Sequence, residues 1–203
     1  MKKNMLFSLV LVSLMGLVPG NNSDGRAGGG FLLGAAEIDK QAIASILNHH
    51  GARNFIAGPI GKDSLDLILQ AGARAPSANN RQPWHFTVVQ TQSLAQRMVP
   101  NIVEGNLLIV ISTSGDGKIN GREILDCALA TESMYLAAQA LGLGSRIYTG
   151  PMNRINSQLK ADLGLPSGYS AVALVRVGQV EQAVDGVSAA SSRKPLETIV
   201  NYK

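Results

Sequence analysis

Between Gly121 and Leu141 the chain repeats apolar residues around most of a helical circumference: Ile124, Leu125, Ala128, Leu129, Met134, Leu136, Ala137, Ala140 and Leu141. A helix apolar on most sides cannot rest on a surface; it is buried in a core or against a second subunit. Gly142 and Gly144 stop it. The remaining elements must be arranged to cover it. Ile38, Ala42, Ile43, Ile46 and Leu47 recur at helical spacing up to Gly51, and a second helix is expected over Asp63–Ala71. Strands are expected over His85–Gln90, Leu107–Ser112, Ser145–Thr149 and Ala171–Gly178, with helices over Ser93–Met98 and Asn153–Leu163. Residues 180–192, mostly polar or small, read as a surface loop. Helices and strands mix without strict alternation, which favours an α+β sandwich, a mixed sheet flanked by helices.

The first residues read as something other than fold. Lys2 and Lys3 precede a charge-free, mostly apolar stretch from Met5 to Val18, and Pro19-Gly20 follows. These are the three parts of a secretory signal peptide, and the core is shorter than the roughly 20 residues a bilayer span needs. Small residues suit cleavage after Gly20 or after Ala27. Residues 28–36 then form a flexible lead-in and 37–203 one domain. A periplasmic or secreted bacterial protein with no membrane attachment after cleavage follows; a cytoplasmic protein is the alternative if the leader is misread. Cleavage after Ala27 would remove Lys2, Lys3, Arg26 and Asp24, taking the net charge from +4 to +2. The basic residues are scattered, so no nucleic-acid partner is expected. With one cysteine, Cys127, and three histidines, His49, His50 and His85, the chain has no intramolecular disulfide and too few ligands for a structural zinc.

The segment Ala75-Pro76-Ser77-Ala78-Asn79-Asn80-Arg81-Gln82-Pro83-Trp84 gathers amides, a hydroxyl, a guanidinium and the only tryptophan between a helix and a strand. Such a loop could receive a planar heterocycle with polar edges. On composition alone a helix-ending turn, with the prolines fixing φ and the asparagines bonding local backbone, is the better reading. Other chemistry is poorly represented: the chain has no Gly-x-Ser-x-Gly elbow, His-Glu-x-x-His helix or Walker loop. Cys127 falls within the buried helix, where a small hydrophobe is expected rather than a nucleophile.

The order of residues in that loop, Ala-Pro-Ser-x-x-Asn-x-Gln-Pro-Trp, resembles the signature of the nitroreductase family. Three more segments in the same order strengthen the resemblance: His50-Gly51-Ala52-Arg53-Asn54-Phe55, Leu136 to Gly144, and Arg193-Lys194-Pro195-Leu196-Glu197-Thr198-Ile199-Val200. It spans about residues 37 to 203 and implies an FMN-dependent oxidoreductase, an interlocked homodimer with flavin at each interface. Such an enzyme passes hydride or electrons from NAD(P)H or another donor to a small-molecule acceptor such as a nitroaromatic or quinone. The resemblance places Arg53 and Arg193 at the FMN phosphate with Lys194 nearby, and His50, Gly51 and Ala52 in the same motif. It places Pro76, Ser77, Ala78, Asn80 and Gln82 along the flavin's polar edge and ribityl chain, from the subunit facing the one that contributes Thr149 and Gly150. No protein acid or base is implied. His50 and Gly51 replace an arginine and a serine of the family motif, and Ser191 stands where many members carry a cation, so weak FMN retention is expected. Because NAD(P)H is scarce outside the cytoplasm, a non-enzymatic exported flavin carrier is the second reading.

Overall fold

The computed structural model describes residues 40–114, 121–181 and 192–203. The leader, the lead-in, Ile38, Ser191 and most of the 180–192 loop lie outside these. In chain order the elements are α1 (Lys40–Leu47), β1 (Phe55–Ile56), α2 (Lys62–Ala73), a 3-10 turn (Ala78–Asn80), β2 (Trp84–Val89), α3 (Gln92–Gln96), β3 (Leu107–Ser114) and α4 (Arg122–Ala140). Then come β4 (Gly144–Tyr148), α5 (Met152–Arg154), a π-helical turn (Ile155–Leu159), β5 (Tyr169–Val180) and a 3-10 turn (Leu196–Thr198).

The sandwich is α+β as expected, but its sheet is antiparallel in every described pairing rather than mixed. The reason lies in β5. Leu174 to Val177 pair with β3 along one edge and with β4 along the other, so β5 separates two strands that run parallel to each other. The connection β3–α4–β4 is therefore a split crossover, and the last strand fills its gap. β2 flanks β3, and β1 pairs with Gln179 and Val180 at the end of β5.

Alternation along β3 builds two cores. Leu107, Ile109 and Ile111 join Val175, Val177, Ile68, Cys127, Met134 and Ala138 beneath α2 and α4. Leu108 and Val110 join Leu174, Val89, Ile102, Ile155 and Leu159 on the opposite face. Each fully buried aliphatic side chain contributes about 1.5–3 kcal/mol, so the strand with both faces covered anchors the domain. Gly72 lets α2 close on α4, since a Cβ there would come within 2.7 Å of Met134 Cγ. The helix expected over Asn153–Leu163 widens into the π turn. There Asn156 clasps β5, donating to Ala171 O (2.9 Å) and accepting from Ala171 N (2.8 Å), while Ile155 and Leu159 stay buried.

The long helix is buried on one side only. Cys127, Ala130, Met134 and Ala138 face the sheet fully buried, whereas Leu125 is 60% and Leu129 38% exposed.

One charge sits inside. Arg176 on β5 is 2% exposed; its Nε and Nη2 both donate to Asn106 Oδ1, at 3.0 and 2.8 Å, and its guanidinium lies 3.9 Å from the Phe55 ring centroid. Burial lowers its affinity for the proton, and a hydrogen bond with Tyr148 opposes that. Among the described residues no carboxylate pairs with it.

Candidate functional site

The segment from His49 to Arg53 lies between α1 and β1 and is pinned on both sides. Gln139 of α4 receives His50 N–H (3.2 Å) and donates to His50 O (3.0 Å) and Ser145 Oγ (3.0 Å). Ala52 N–H donates to Ser145 O (2.9 Å), and Ser145 Oγ donates to Tyr135 O (2.7 Å). One half-buried carboxamide and one buried hydroxyl thus fix this segment against α4 and β4, a positioning role that the sequence motif does not reveal.

Gly51 and Arg53 border an open recess of about 320 Å³ together with His49, Glu132, Tyr135, Arg146 and Ile147. His50 and Ala52 border a second recess of about 200 Å³ with Ser45, Asn48, Gln139 and Val180, and His49 borders both recesses. Ala52 is 1% exposed and serves packing. His49, which the sequence reading passed over, holds its ring edge-on to Tyr135, with centroids 5.5 Å apart. Burial raises the Tyr135 phenol above its ordinary value; Gln139 and Arg193 oppose the rise and Glu132 adds to it. Arg193 therefore lies within electrostatic reach of the recess, and Lys194 beside it is exposed. His49, Arg53 and Arg146 face a single carboxylate, Glu132, across this recess. That donor set suits a phosphate, for which guanidinium forks give the strong, short contacts.

The signature loop has its own geometry. Asn79, Asn80 and Gln82 all adopt left-handed backbone (φ 54°, 53° and 48°), a conformation asparagine tolerates and glutamine rarely takes. Side chains hold the loop in this shape. Ser77 Oγ accepts Gln82 N–H (3.0 Å), Gln82 Nε2 donates to Asn80 Oδ1 (3.1 Å), and Ala78 N–H donates to Asp126 Oδ1 (3.0 Å). Asp126 is 3% exposed. Non-glycine residues held at positive φ by their surroundings mark sites where geometry matters more than local stability. Pro76 precedes this cluster, and Trp84 stacks on Phe86 at 6.3 Å against the core under α2 and α4.

The two groups meet α4 at different points. The loop bonds Asp126 and the recess uses Tyr135, nine residues on and so about 13 Å along the axis. Thr149 and Gly150 are exposed in the turn after β4, the strand whose Arg146 and Ile147 border the recess. Cys127 is fully buried, and burial pushes its thiol up to about 11; a Thr113 hydrogen bond opposes the rise, while Asp126 and Glu123 add to it. It is therefore protonated at neutral pH and is no nucleophile. Among the described residues no group of histidine, cysteine, aspartate and glutamate is placed to hold a metal ion, and no helix is long and apolar enough to cross a membrane.

A two-faced antiparallel sheet flanked by helices, with a recess where α4 meets β4 that is bordered by two guanidiniums, defines the class: an α+β sandwich protein. The pattern of the nitroreductase family matches residues 46–109 and 101–179, and the chain belongs to that family. An Archaeoglobus fulgidus protein provisionally named NADH dehydrogenase/NAD(P)H nitroreductase is 29% identical over 156 residues, 72% of this chain and 89% of that one. Among solved structures, a nitroreductase with bound FMN from Desulfitobacterium hafniense superposes with a TM-score of 0.66 at 20% identity, covering 80% of this chain and 98% of that one. A nitroreductase with bound FMN from Bacteroides fragilis gives 0.65 at 22% identity, covering 80% and 99%.

Proposed function

We propose that this protein is an FMN-dependent oxidoreductase that moves electrons from a reduced donor, NAD(P)H or another, to a small acceptor such as a nitroaromatic or quinone. The observation that carries the reading is the cationic recess fixed by Gln139 and Ser145, in a chain of this family. Arg53, with Arg193 in reach, would hold the FMN phosphate, and the backbone of Thr149 and Gly150 would face the flavin's reactive edge. Ser77 and Asn80 would hydrogen-bond its polar edge and ribityl chain from a second protomer. FMN, when bound, supplies the hydride and electron chemistry. The chain's own residues bind it, orient it and set the charge around it. No side chain is required as a general acid or base.

Two chains are needed in this reading. The exposed Leu125 and Leu129 stripe on α4, with Ile147 37% exposed beside the recess, offers an apolar face for a second copy. The separation of the loop from the recess along α4 is what a site shared between protomers requires. Export to the periplasm or medium rests on the leader sequence, and it leaves the donor open between a nicotinamide and another reductant. The carrier reading gains no support from the fold or from the relatives.

The test is a visible spectrum of the purified chain after incubation with FMN, with molar mass measured by light scattering. A protein-bound flavin spectrum at stoichiometric loading in a dimer is expected. A colourless protein after incubation would overturn the reading and leave only the fold.

A further inference from the structure

The sequence suggests a phosphate site short of charge, because His50 and Gly51 stand where the family pattern has arginine and serine, and the structure turns His50 to the other recess. We propose that Arg146 supplies the missing cation and is a direct ligand of the FMN phosphate. The proposal deepens the flavin reading and rests on it.

Arg146 comes from β4, two residues past the Leu136–Gly144 segment and outside both arginine-bearing motifs, and borders the same recess as Gly51 and Arg53. Its stem lies over the glycine: a Cβ built on Gly51 would sit 3.9 Å from Arg146 Cγ. The residue that has lost a side chain is thus the one beside which the extra guanidinium runs. The neighbours of Arg146 do not neutralise it. Its cross-strand partner is Arg176, a like charge, and its ring neighbour is Tyr148, with the guanidinium 5.3 Å from the centroid. The described ion pairs, Lys62–Asp66 and Arg97–Asp162, involve neither arginine. Arg176 is committed to Asn106 and the Phe55 face, so Arg146 is the member of the pair that borders the recess. Two adjacent guanidiniums repel, and an anion in the recess relieves that repulsion. Glu132, the one carboxylate of the lining, shares the recess with two guanidiniums, Arg53 and Arg146.

The experiment compares FMN with riboflavin, which lacks the phosphate, by fluorescence titration of the full chain and its Arg146→Ala and Arg146→Lys variants. Arg146→Ala is expected to weaken FMN about tenfold to a hundredfold, as for loss of one charge-assisted contact, and to leave riboflavin unchanged. Arg146→Lys should recover part of the loss, because a point charge replaces the fork incompletely. Unchanged FMN affinity in Arg146→Ala, or equal loss of both ligands, overturns the proposal; the second result would mark Arg146 as structural. A wild-type chain that binds FMN no more tightly than riboflavin also overturns it. A wild-type chain that binds neither overturns the flavin reading itself. Melting temperatures of the flavin-free variants show whether any loss comes from unfolding.

Discussion

Asn106→Ala is expected to destabilise the fold by about 3 kcal/mol, because it leaves the Arg176 guanidinium buried without its acceptor. Asn106 is 2% exposed, accepts two hydrogen bonds from Arg176 at one oxygen and donates from Nδ2 to Ile56 O at 3.1 Å. It therefore ties β5 to β1 as well as holding the charge. Gly178 belongs to the same knot, since a Cβ there would fall 2.4 Å from Asn106 Cγ. The cost comes mainly from stranding the cation rather than from losing a favourable bond. Hence the double variant Asn106→Ala/Arg176→Met should be more stable than Asn106→Ala alone. Urea unfolding of the three proteins decides this. A single variant within about 0.5 kcal/mol of wild type, the range of an ordinary surface change, would show that water or a shifted side chain satisfies the guanidinium.

Arg53→Ala is expected to release FMN on purification, with affinity reduced about tenfold to a hundredfold by loss of a charge-assisted contact. Arg53 is exposed and stands at the mouth of the recess, between it and a neighbouring hollow lined by Asn54, Asn101 and Arg176. Its backbone is not part of the Gln139 and Ser145 clasp, so the segment should keep its shape when the side chain is cut back. Flavin content after gel filtration, beside a melting curve of the flavin-free protein, separates ligand loss from unfolding. Unchanged flavin content would remove Arg53 from the phosphate site.

The sequence showed most of the helices and strands and little of what holds the recess together. The long helix was legible to one residue at each end, because its apolar repeat is continuous and Gly142 closes it. β3 was legible because an unbroken apolar run marks a strand covered on both faces. The antiparallel order was not, since local pattern cannot tell that β5 will enter between β3 and β4. β1, two residues long, has no periodicity to read. Of the residues the motif named, Gly51 and Arg53 border one recess and His50 the other, while His49, outside the motif, borders both. Arg146, Tyr135 and Glu132 reach the recess from β4 and α4, and no spacing in the sequence links them to residue 53. Arg176 did carry a signal, a lone charge within an apolar strand, though nothing local says that Asn106, 70 residues earlier, receives it.

The most direct measurement of the central claim is anaerobic: the FMN-loaded protein is mixed with NADH or NADPH and then with a quinone or nitroaromatic, while the flavin absorbance is followed. Bleaching on addition of donor and return on addition of acceptor, through many turnovers, is the expected result. The claim is contradicted if neither nicotinamide bleaches the band and if, after reduction by dithionite, the bound flavin reoxidises with acceptors no faster than free FMN.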